Sequence, residues 1–222
     1  MPRGIFDARV LRNHPACREH YVLTLGLASF PATRPGQFVQ VLCRDGEGAV
    51  DHVIEWTPGE MPRVEGRAFR AHDAFLRRPF SIAGRRDSSE GVEIDLIGRE
   101  VGPGTRFLAR IESGHMVNLI GPLGNTFELP PPGGIALMVG GGVGIPPLIY
   151  LAQALAEDLN NHAVARPRRG IAFCGVTTRD LLPLTQEWST ERTREAQGTG
   201  QEGTGFARAP CRRPRAAPLQ PA

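Results

Sequence analysis

Short stretches rich in Val, Ile, Leu and Phe recur through the first 125 residues, and turn residues separate them at intervals of about 10–20 residues. The stretches are VLRNHPACREHYVLTLGL, GQFVQVLC, RRPFSIAG, GVEIDLIG and GHMVNLIGP. Short strands with turns between them predict a small antiparallel barrel or sandwich. The polar segment 44–73 predicts an extra hairpin or a mobile loop, and the apolar positions in TRFLARI (105–111) predict one short helix.

The periodicity changes after the prolines and glycines at 130–134. IALMVG (135–140) is a continuous apolar run, which is typical of a buried parallel strand. PPLIYLAQALAEDL (146–159) has helical spacing, RRGIAFCGV (168–176) resembles a second buried strand, and LLPLTQEW (181–188) resembles a second helix. This order predicts the start of a doubly wound parallel α/β domain.

The apolar pattern stops at about Thr190. The last 33 residues contain only three larger apolar side chains, those of Phe206, Cys211 and Leu219, which are too few to offset the entropy of ordering the chain. The sequence therefore predicts a β-barrel domain over 1–128, a partial α/β domain over 133–189 and a disordered or aberrant tail over 190–222.

Charge excludes several classes of function. All 26 basic residues are arginine, so a lysine Schiff base and a Walker-type phosphate lysine are excluded. Residues 1–189 hold 20 Arg and 20 Asp or Glu, whereas the tail holds 6 Arg and 3 Glu and so carries the whole net charge of +3. A nucleic-acid-binding protein needs a basic face on its folded part. Because residues 1–189 carry no net charge, this class is excluded too.

The sequence predicts a cytoplasmic protein. Charges interrupt the N-terminal segment, which has no signal-peptide core. Residues 129–156 carry no charge, but six glycines and a central Pro-Pro pair favour a strand, turn and helix over a membrane span. The cysteines have no metal-type spacing and are predicted to be reduced thiols. They are Cys17, Cys43, Cys174 and Cys211.

The first candidate motif is Arg78-Pro79-Phe80-Ser81, in a predicted strand that either lies at an edge or begins here, because proline lacks a donor. Guanidinium, aromatic ring and hydroxyl suit a phosphorylated aromatic cofactor. The alternative is a surface arginine beside a core phenylalanine.

The second motif, Gly102-Pro103-Gly104-Thr105, opens the predicted short helix. Backbone N–H groups and the helix dipole would attract an anion there. The alternative is a plain turn with Thr105 as the helix N-cap.

The third motif is the glycine-rich segment Gly140–Gly144, between a buried strand and a helix that begins with two prolines. This context is typical of a nucleotide-binding turn. The third glycine comes one residue earlier than in G-x-G-x-x-G, and we find no acidic residue near the end of the next strand to bind a ribose, which excludes an ordinary Rossmann dehydrogenase. The alternative is a glycine-packed junction of strand and helix.

In their order and spacing, RRPFSI, GxGT, GPLGNTF (121–127) and VGGGVGIPPL resemble the ferredoxin-reductase-like flavoproteins. GPLGNTF with GGGVGIPPLIYLA is most similar to the electron-transfer subunits of dihydroorotate dehydrogenase B, and the resemblance covers about residues 5–188. It implies an antiparallel Greek-key barrel that binds FAD and an incomplete doubly wound domain that binds NAD(H). It also implies a dihydroorotate dehydrogenase catalytic subunit as partner, in pyrimidine biosynthesis.

The resemblance assigns site residues by position and implies no catalytic side chain. The isoalloxazine and phosphate segment matches Arg78, Pro79, Phe80 and Ser81, and a second flavin-contacting stretch matches Ile97, Gly98 and Arg99, although the family usually has an aromatic residue where Gly98 stands. The pyrophosphate turn matches Gly104 and Thr105, and the wall where the nicotinamide docks matches Gly140, Gly141, Gly142 and Gly144. Thr178, Arg179 and Asp180 are further candidates for the adenosine end.

The sequence departs from the family at its end. A [2Fe–2S] cluster needs four ligands, but Cys211 is the only cysteine beyond 174, and the acidic-glycine segment that precedes the family's cluster is missing too. We therefore expect that the chain is truncated or frame-shifted after about residue 190 and lacks metal ligands. A flavoprotein electron-transfer subunit is the leading hypothesis. A cluster-free NAD(P)H–flavin reductase and a non-catalytic truncated flavin-binding fragment are the alternatives.

Overall fold

The computed structural model describes residues 3–43, 59, 76–160, 165–183 and 205–210, with the backbone alone for 158–160, 179 and 205–210. The elements are β1 (Gly4–Cys17), β2 (His20–Leu27), β3 (Phe38–Val41), β4 (Arg78–Ser88), β5 (Gly91–Arg99), α1 (Pro103–Arg110), β6 (Met116–Leu123), β7 (Ile135–Gly141), α2 (Ile145–Asn160), β8 (Arg169–Val176) and β9 (Gly205–Pro210). Single 3₁₀ turns follow β7 at Gly142–Gly144 and β8 at Arg179–Leu181.

Six strands form a closed antiparallel barrel in the order β1-β2-β5-β4-β3-β6. Its strands alternate between inward and outward residues, as β5 shows with buried Val92, Ile94, Leu96 and Gly98 between half-buried neighbours. β3, β4 and β5 follow one another as neighbours, and β2 lies beside β5, which is Greek-key order. The predicted barrel and its Greek-key topology are confirmed.

Pro79 lies near the start of β4, which begins at Arg78. It is paired in register with Gln40 of β3, inside a closed barrel rather than at a free edge. The proline predicted either an edge strand or the start of a strand, and the structure has the start of a strand. The predicted short helix is α1, which begins two residues before the expected Thr105.

A parallel pair of strands follows the barrel, in register from Ile135 opposite Arg169 to Gly141 opposite Gly175. α2 packs on one face of this sheet through Leu151 and Leu155, against Met138 and other buried residues of the strands. On the opposite face Leu137 and Val139 are 68% and 73% exposed. The predicted strand–helix–strand start of an α/β unit is confirmed.

The tail prediction is wrong for six residues. Gly205–Pro210 form β9, which pairs antiparallel with β8 from Gly205 opposite Val176 to Pro210 opposite Ile171. This pairing uses backbone groups, which supply hydrogen bonds whatever the side chains are. The rest of the tail, residues 184–188 of the predicted second helix and the segment 44–73 apart from Gly59 lie outside the described residues.

α2 also joins the barrel to the parallel strands. Tyr150 is 7% exposed and belongs to the barrel core, whereas Leu155, five residues later, belongs to the core of the α2–sheet unit. Within the described part of the chain, no helix has the length and apolar character needed to cross a membrane.

Candidate functional site

Strands β4 and β5 separate at one end of the barrel. Their ladder runs from Ser88–Gly91 to Ile82–Leu96, and no further pair between them is formed by the described residues. Beyond that point Arg78–Ser81 pair with β3, while residues 97–99 pair with β2. The two predicted flavin-contacting stretches thus lie on the two sides of this gap.

Arg78 is the charged group at the gap. Its side chain is exposed and forms no ion pair with any residue that the structure describes, whereas the guanidinium of its neighbour Arg77 donates to the carbonyl and the side chain of Asn118. Phe80 is buried in the barrel core, and Ser81 is half-buried. A ligand can therefore reach Arg78 and Ser81 without displacing the core. The buried Phe80 also agrees with the alternative interpretation of this motif, a surface arginine beside a core phenylalanine.

On the other side of the gap, Gly98 is covered by Tyr21, with which it is paired in register. A Cβ on Gly98 would lie 2.4 Å from both Cζ and Oη of Tyr21. The Tyr21 hydroxyl is buried and has no hydrogen-bond partner among the described residues, and burial raises its pKa above the ordinary value. Tyr21 was not a predicted site residue; the register of β2 on β5 is what identifies it.

The two neighbours of Gly98, Ile97 and Arg99, differ in whether a partner within the protein already holds the side chain. Ile97 is half-buried. The guanidinium of Arg99 donates to Glu19 Oε2 over 3.0 Å from Nε and 2.8 Å from Nη2. Arg99 therefore has a carboxylate partner of its own, whereas Arg78 has none among the described residues, and Arg78 is the better candidate to hold a phosphate.

The second motif forms the turn at the start of α1. Gly102 is the N-cap, and the Thr105 hydroxyl accepts hydrogen bonds from the N–H groups of Val101 (2.9 Å) and Gly102 (3.1 Å). The alternative in which Thr105 is the N-cap is therefore wrong, because Thr105 is the third residue of the helix. The N–H groups of Gly104 and Thr105 belong to the first turn, where helical N–H groups have no intrahelical acceptor, and the helix dipole favours a negative charge there.

The glycines of the third motif divide into two pairs. A Cβ on Gly140 would lie 2.6 Å from Leu148 Cδ1, and one on Gly141 would lie 3.0 Å from the carbonyl oxygen of Gly175, so these two allow close packing. Gly142 has φ of +51°, a conformation that favours glycine. Cβ atoms on Gly142 and Gly144 would meet nothing within 4 Å. The packed-junction alternative explains the first pair, and the second pair borders open space.

The predicted residues after β8 lie against the β1–β2 hairpin. Arg18 Nη1 is 2.8 Å from Asp180 Oδ2, and the Arg18 N–H donates to the carbonyl of Asp180 over 3.1 Å. The Thr178 hydroxyl donates to the same carboxylate over 2.5 Å, and together with the charge of Arg18 it lowers the pKa of Asp180. Through Arg18 and its neighbour Glu19, the end of β8 is brought close to Arg99.

The described cysteines do not form a metal site. Cys17, Cys43 and Cys174 are free thiols in or near three different strands, and no cluster of three metal-ligating side chains occurs among the residues that the structure describes. Cys43 is 1% exposed, and burial raises its pKa to about 11, which disfavours the thiolate that a metal needs. These thiols do not fit a [2Fe–2S] cluster.

Solved structures with the same arrangement define the class of this fold. The Amycolatopsis cytochrome P450 reductase GcoB superposes with a TM-score of 0.54 at 27% identity, over 82% of this chain and 46% of its own. The ferredoxin reductase in carbazole 1,9a-dioxygenase superposes with a TM-score of 0.58 at 18% identity, over 91% of this chain and 54% of its own. The chain has the fold of the ferredoxin-reductase-like proteins.

Curated sequences narrow this class. No protein-family model matches the chain. The dihydroorotate dehydrogenase B (NAD(+)) electron transfer subunit of Lysinibacillus sphaericus is 36% identical over 158 residues, which cover 69% of this chain and 57% of that subunit. The corresponding subunit of Bacillus velezensis is 46% identical over 110 residues, 49% of this chain and 41% of its own. The chain is a homologue of the dihydroorotate dehydrogenase B electron transfer subunits and spans about half their length.

Proposed function

We propose that this chain is the flavin- and NAD-binding part of an electron transfer subunit, which passes electrons between NAD(H) and a dihydroorotate dehydrogenase catalytic subunit in pyrimidine biosynthesis. The barrel, within 1–128, binds FAD, and the α/β segment, within 133–189, binds the nicotinamide nucleotide. Free thiols at Cys17, Cys43 and Cys174 support a cytoplasmic location. The gap between β4 and β5, with Arg78 beside it, is the observation that carries the proposal.

The residues at the gap fit a flavin dinucleotide in their chemistry. An exposed arginine suits a phosphate, and the first turn of α1 offers the N–H groups of Gly104 and Thr105 to a pyrophosphate. Ser81 and Ile97 line the two strands where the ring would lie. A bound flavin would accept a hydride, which is two electrons and one proton, from NADH and would then release the two electrons singly.

The glycine-rich turn suits the nicotinamide nucleotide. Gly142 and Gly144 leave open space where side chains would otherwise stand, so a flat ring could approach the backbone closely. The protein groups then bind and orient the two cofactors, and none of them needs to act as an acid or base. This agrees with the scattered positions of the histidines in the sequence.

A second candidate function rests on the cysteines. The three described thiols do not fit an iron–sulfur cluster, and the whole sequence contains only one more, Cys211. A chain without the cluster would act as an NAD(P)H–flavin reductase with small acceptors, and a chain without a nucleotide site would be a non-catalytic flavin-binding fragment. These functions differ in the electron acceptor that the reduced flavin can use.

The test uses the full chain purified with FAD. We expect a yellow protein whose visible absorbance bleaches when NADH is added without oxygen. Arg78→Gln should weaken FAD binding by about tenfold or more, since a hydrogen bond to a charged group contributes about 1.5–3 kcal/mol. Arg12→Gln, which removes an exposed arginine paired with Glu93, is the control and should bind FAD normally.

Three outcomes distinguish the functions. Reduction of dihydroorotate dehydrogenase catalytic subunit by NADH through this chain would support the electron transfer subunit. Reduction of dyes or free flavin without reduction of the catalytic subunit would favour the cluster-free reductase. A colourless protein that gains no flavin on incubation with FAD or FMN would overturn the proposal.

A further inference from the structure

α2 is fixed to the barrel by a partly buried hydrogen-bond network. The Tyr150 hydroxyl donates to the carbonyl of Thr33 over 3.0 Å and lies 2.9 Å from the Thr33 hydroxyl. Tyr150 is only 7% exposed and Thr33 is half-buried, so these bonds are partly shielded from water. One side chain of α2 is therefore held on the segment between β2 and β3.

A second contact lies one turn later on the same helix. The Gln153 amide donates from Nε2 to the carbonyl of Arg85 over 2.7 Å, and its Oε1 accepts from the Arg85 N–H over 3.3 Å. A single amide thus pairs with both backbone groups of a β4 residue, as a neighbouring strand would. It does so next to Gly84, where the β4–β5 register shifts.

Arg85 links the two contacts. Its guanidinium donates to the carbonyl oxygens of Pro31 (2.7 Å) and Phe30 (3.2 Å), and to the Thr33 hydroxyl over 3.4 Å. It is also paired with Asp87, and its side chain is only 11% exposed. Tyr150, Thr33, Arg85 and Gln153 therefore form one connected network, which we call the α2 clamp.

The clamp holds a helix that begins at the glycine-rich turn. Tyr150 and Gln153 are six and nine residues beyond Gly144, so at the helical rise they lie about 9 and 14 Å along the axis from the turn. Gly142 and Gly144 have no side chains of their own to fix their position. The barrel contacts of α2 therefore help to fix where this turn lies relative to the barrel, together with the contact between Arg18 and Asp180 at the end of β8.

We propose that Tyr150 and Gln153 are positioning residues, which hold the nicotinamide-binding turn at hydride-transfer distance from the flavin. The inference rests on the proposed function of both sites. Neither side chain needs to touch a cofactor, because each acts through the orientation of α2. Small errors in such an orientation reduce transfer rates steeply, since the reacting atoms must approach within about 3–3.5 Å.

The test compares Tyr150→Phe and Gln153→Leu, singly and together, with Leu155→Val as matched control. Leu155 packs α2 on its own sheet, away from the barrel, so its truncation weakens α2 without changing the clamp. The measurements are FAD affinity, NAD⁺ affinity of the FAD-loaded chain by calorimetry, and the rate of flavin bleaching by NADH in stopped flow. The long-wavelength charge-transfer absorbance that forms when nicotinamide stacks on flavin is a spectroscopic readout of their distance.

We expect the double clamp variant to keep FAD affinity within about twofold, to lose the charge-transfer absorbance, and to transfer hydride at least about tenfold more slowly. Leu155→Val should keep both the absorbance and the rate, even where it lowers thermal stability as much. A double variant with unchanged absorbance and rate would overturn the inference, and so would equal losses in Leu155→Val. If the unmodified chain binds neither FAD nor NAD⁺, the proposed function itself fails, and the two failures are thus distinguishable.

The clamp has a second readout that needs no cofactor. In the flavin-free chain, the losses in unfolding free energy caused by Thr33→Val and Tyr150→Phe should not add fully, because both remove the hydrogen bond between the two hydroxyls. Additive losses would show that the two residues are not coupled, and would overturn the clamp.

Discussion

The ring of Tyr21 occupies the space above Gly98. The two residues are paired in register on β2 and β5, and a Cβ on Gly98 would lie 2.4 Å from the tyrosine Cζ. The family that the sequence resembles usually has an aromatic residue at position 98. In this chain the aromatic ring comes from the neighbouring strand, and the glycine is what allows it to lie there.

Gly98→Ala should therefore destabilise the barrel. Overpacking of a closed core costs about 1–3 kcal/mol, and Tyr21 is only 4% exposed and cannot turn outward freely. We expect Gly98→Ala to lower the free energy of unfolding by this amount, as measured by urea titration. Gly144→Ala is the control, because a Cβ there meets nothing within 4 Å.

The loss should depend on the tyrosine. In a Tyr21→Leu background the same Gly98→Ala change should cost clearly less, since the atoms that it meets are gone. An equal cost in both backgrounds would show that the strain arises elsewhere.

Removal of the Tyr21 hydroxyl should stabilise the protein, whereas removal of the Tyr150 hydroxyl should destabilise it. The first is buried without a partner, and an unsatisfied buried polar group costs about 1–3 kcal/mol. The second is bonded to Thr33, so Tyr150→Phe should cost about 1 kcal/mol. The thermal midpoints of the two variants, relative to the unmodified chain, check both signs, and a drop for Tyr21→Phe would mean that its hydroxyl has an acceptor.

Acid should weaken the barrel in part through Asp95. Burial alone would raise its pKa, but the bidentate hydrogen bonds and charge of Arg86, with a bond from Thr24, lower it overall. A carboxyl with a lowered folded-state pKa stabilises the fold above its unfolded value of about 3.9, and this contribution is lost as the pH falls through the folded-state pKa.

Asp95→Asn should therefore reduce the free energy of unfolding at pH 7 by about 1–2 kcal/mol. It should also flatten the decline of that free energy below about pH 4. Urea titrations at several pH values measure both effects. Glu128→Gln, at an exposed carboxylate, should leave the curve unchanged, and a parallel decline in the Asp95 variant would contradict the assignment.

The two open glycines of the turn should respond differently to alanine. Gly142 has φ of +51°, so Gly142→Ala should lower the free energy of unfolding by about 1 kcal/mol. Gly144 has neither a positive φ nor a close neighbour, so Gly144→Ala should keep its stability and lose NAD⁺ affinity. Calorimetric titration with NAD⁺ beside thermal unfolding separates the two effects, and full affinity in Gly144→Ala would place the nucleotide elsewhere.

The barrel could be predicted from the sequence because short apolar stretches with turn residues between them are typical of a small antiparallel barrel. The glycine-rich segment Gly140–Gly144 could be placed because it lies between a continuous apolar run and a helical one. The α2 clamp could not be predicted, since Thr33 and Tyr150 are 117 residues apart and no sequence pattern links them. β9 could not be predicted either, because backbone pairing with β8 leaves no apolar signature in a segment such as GFARAP.

Tyr150 has a consequence for how this protein can be divided. It belongs to the buried cluster that includes the barrel core but lies 27 residues beyond the last barrel strand, which ends at Leu123. A fragment that stops at 128 would retain all six strands and would have a hole where the phenol ring belongs. Such a fragment should melt early or take up small aromatic molecules, so the barrel is complete only when the following helix has been made.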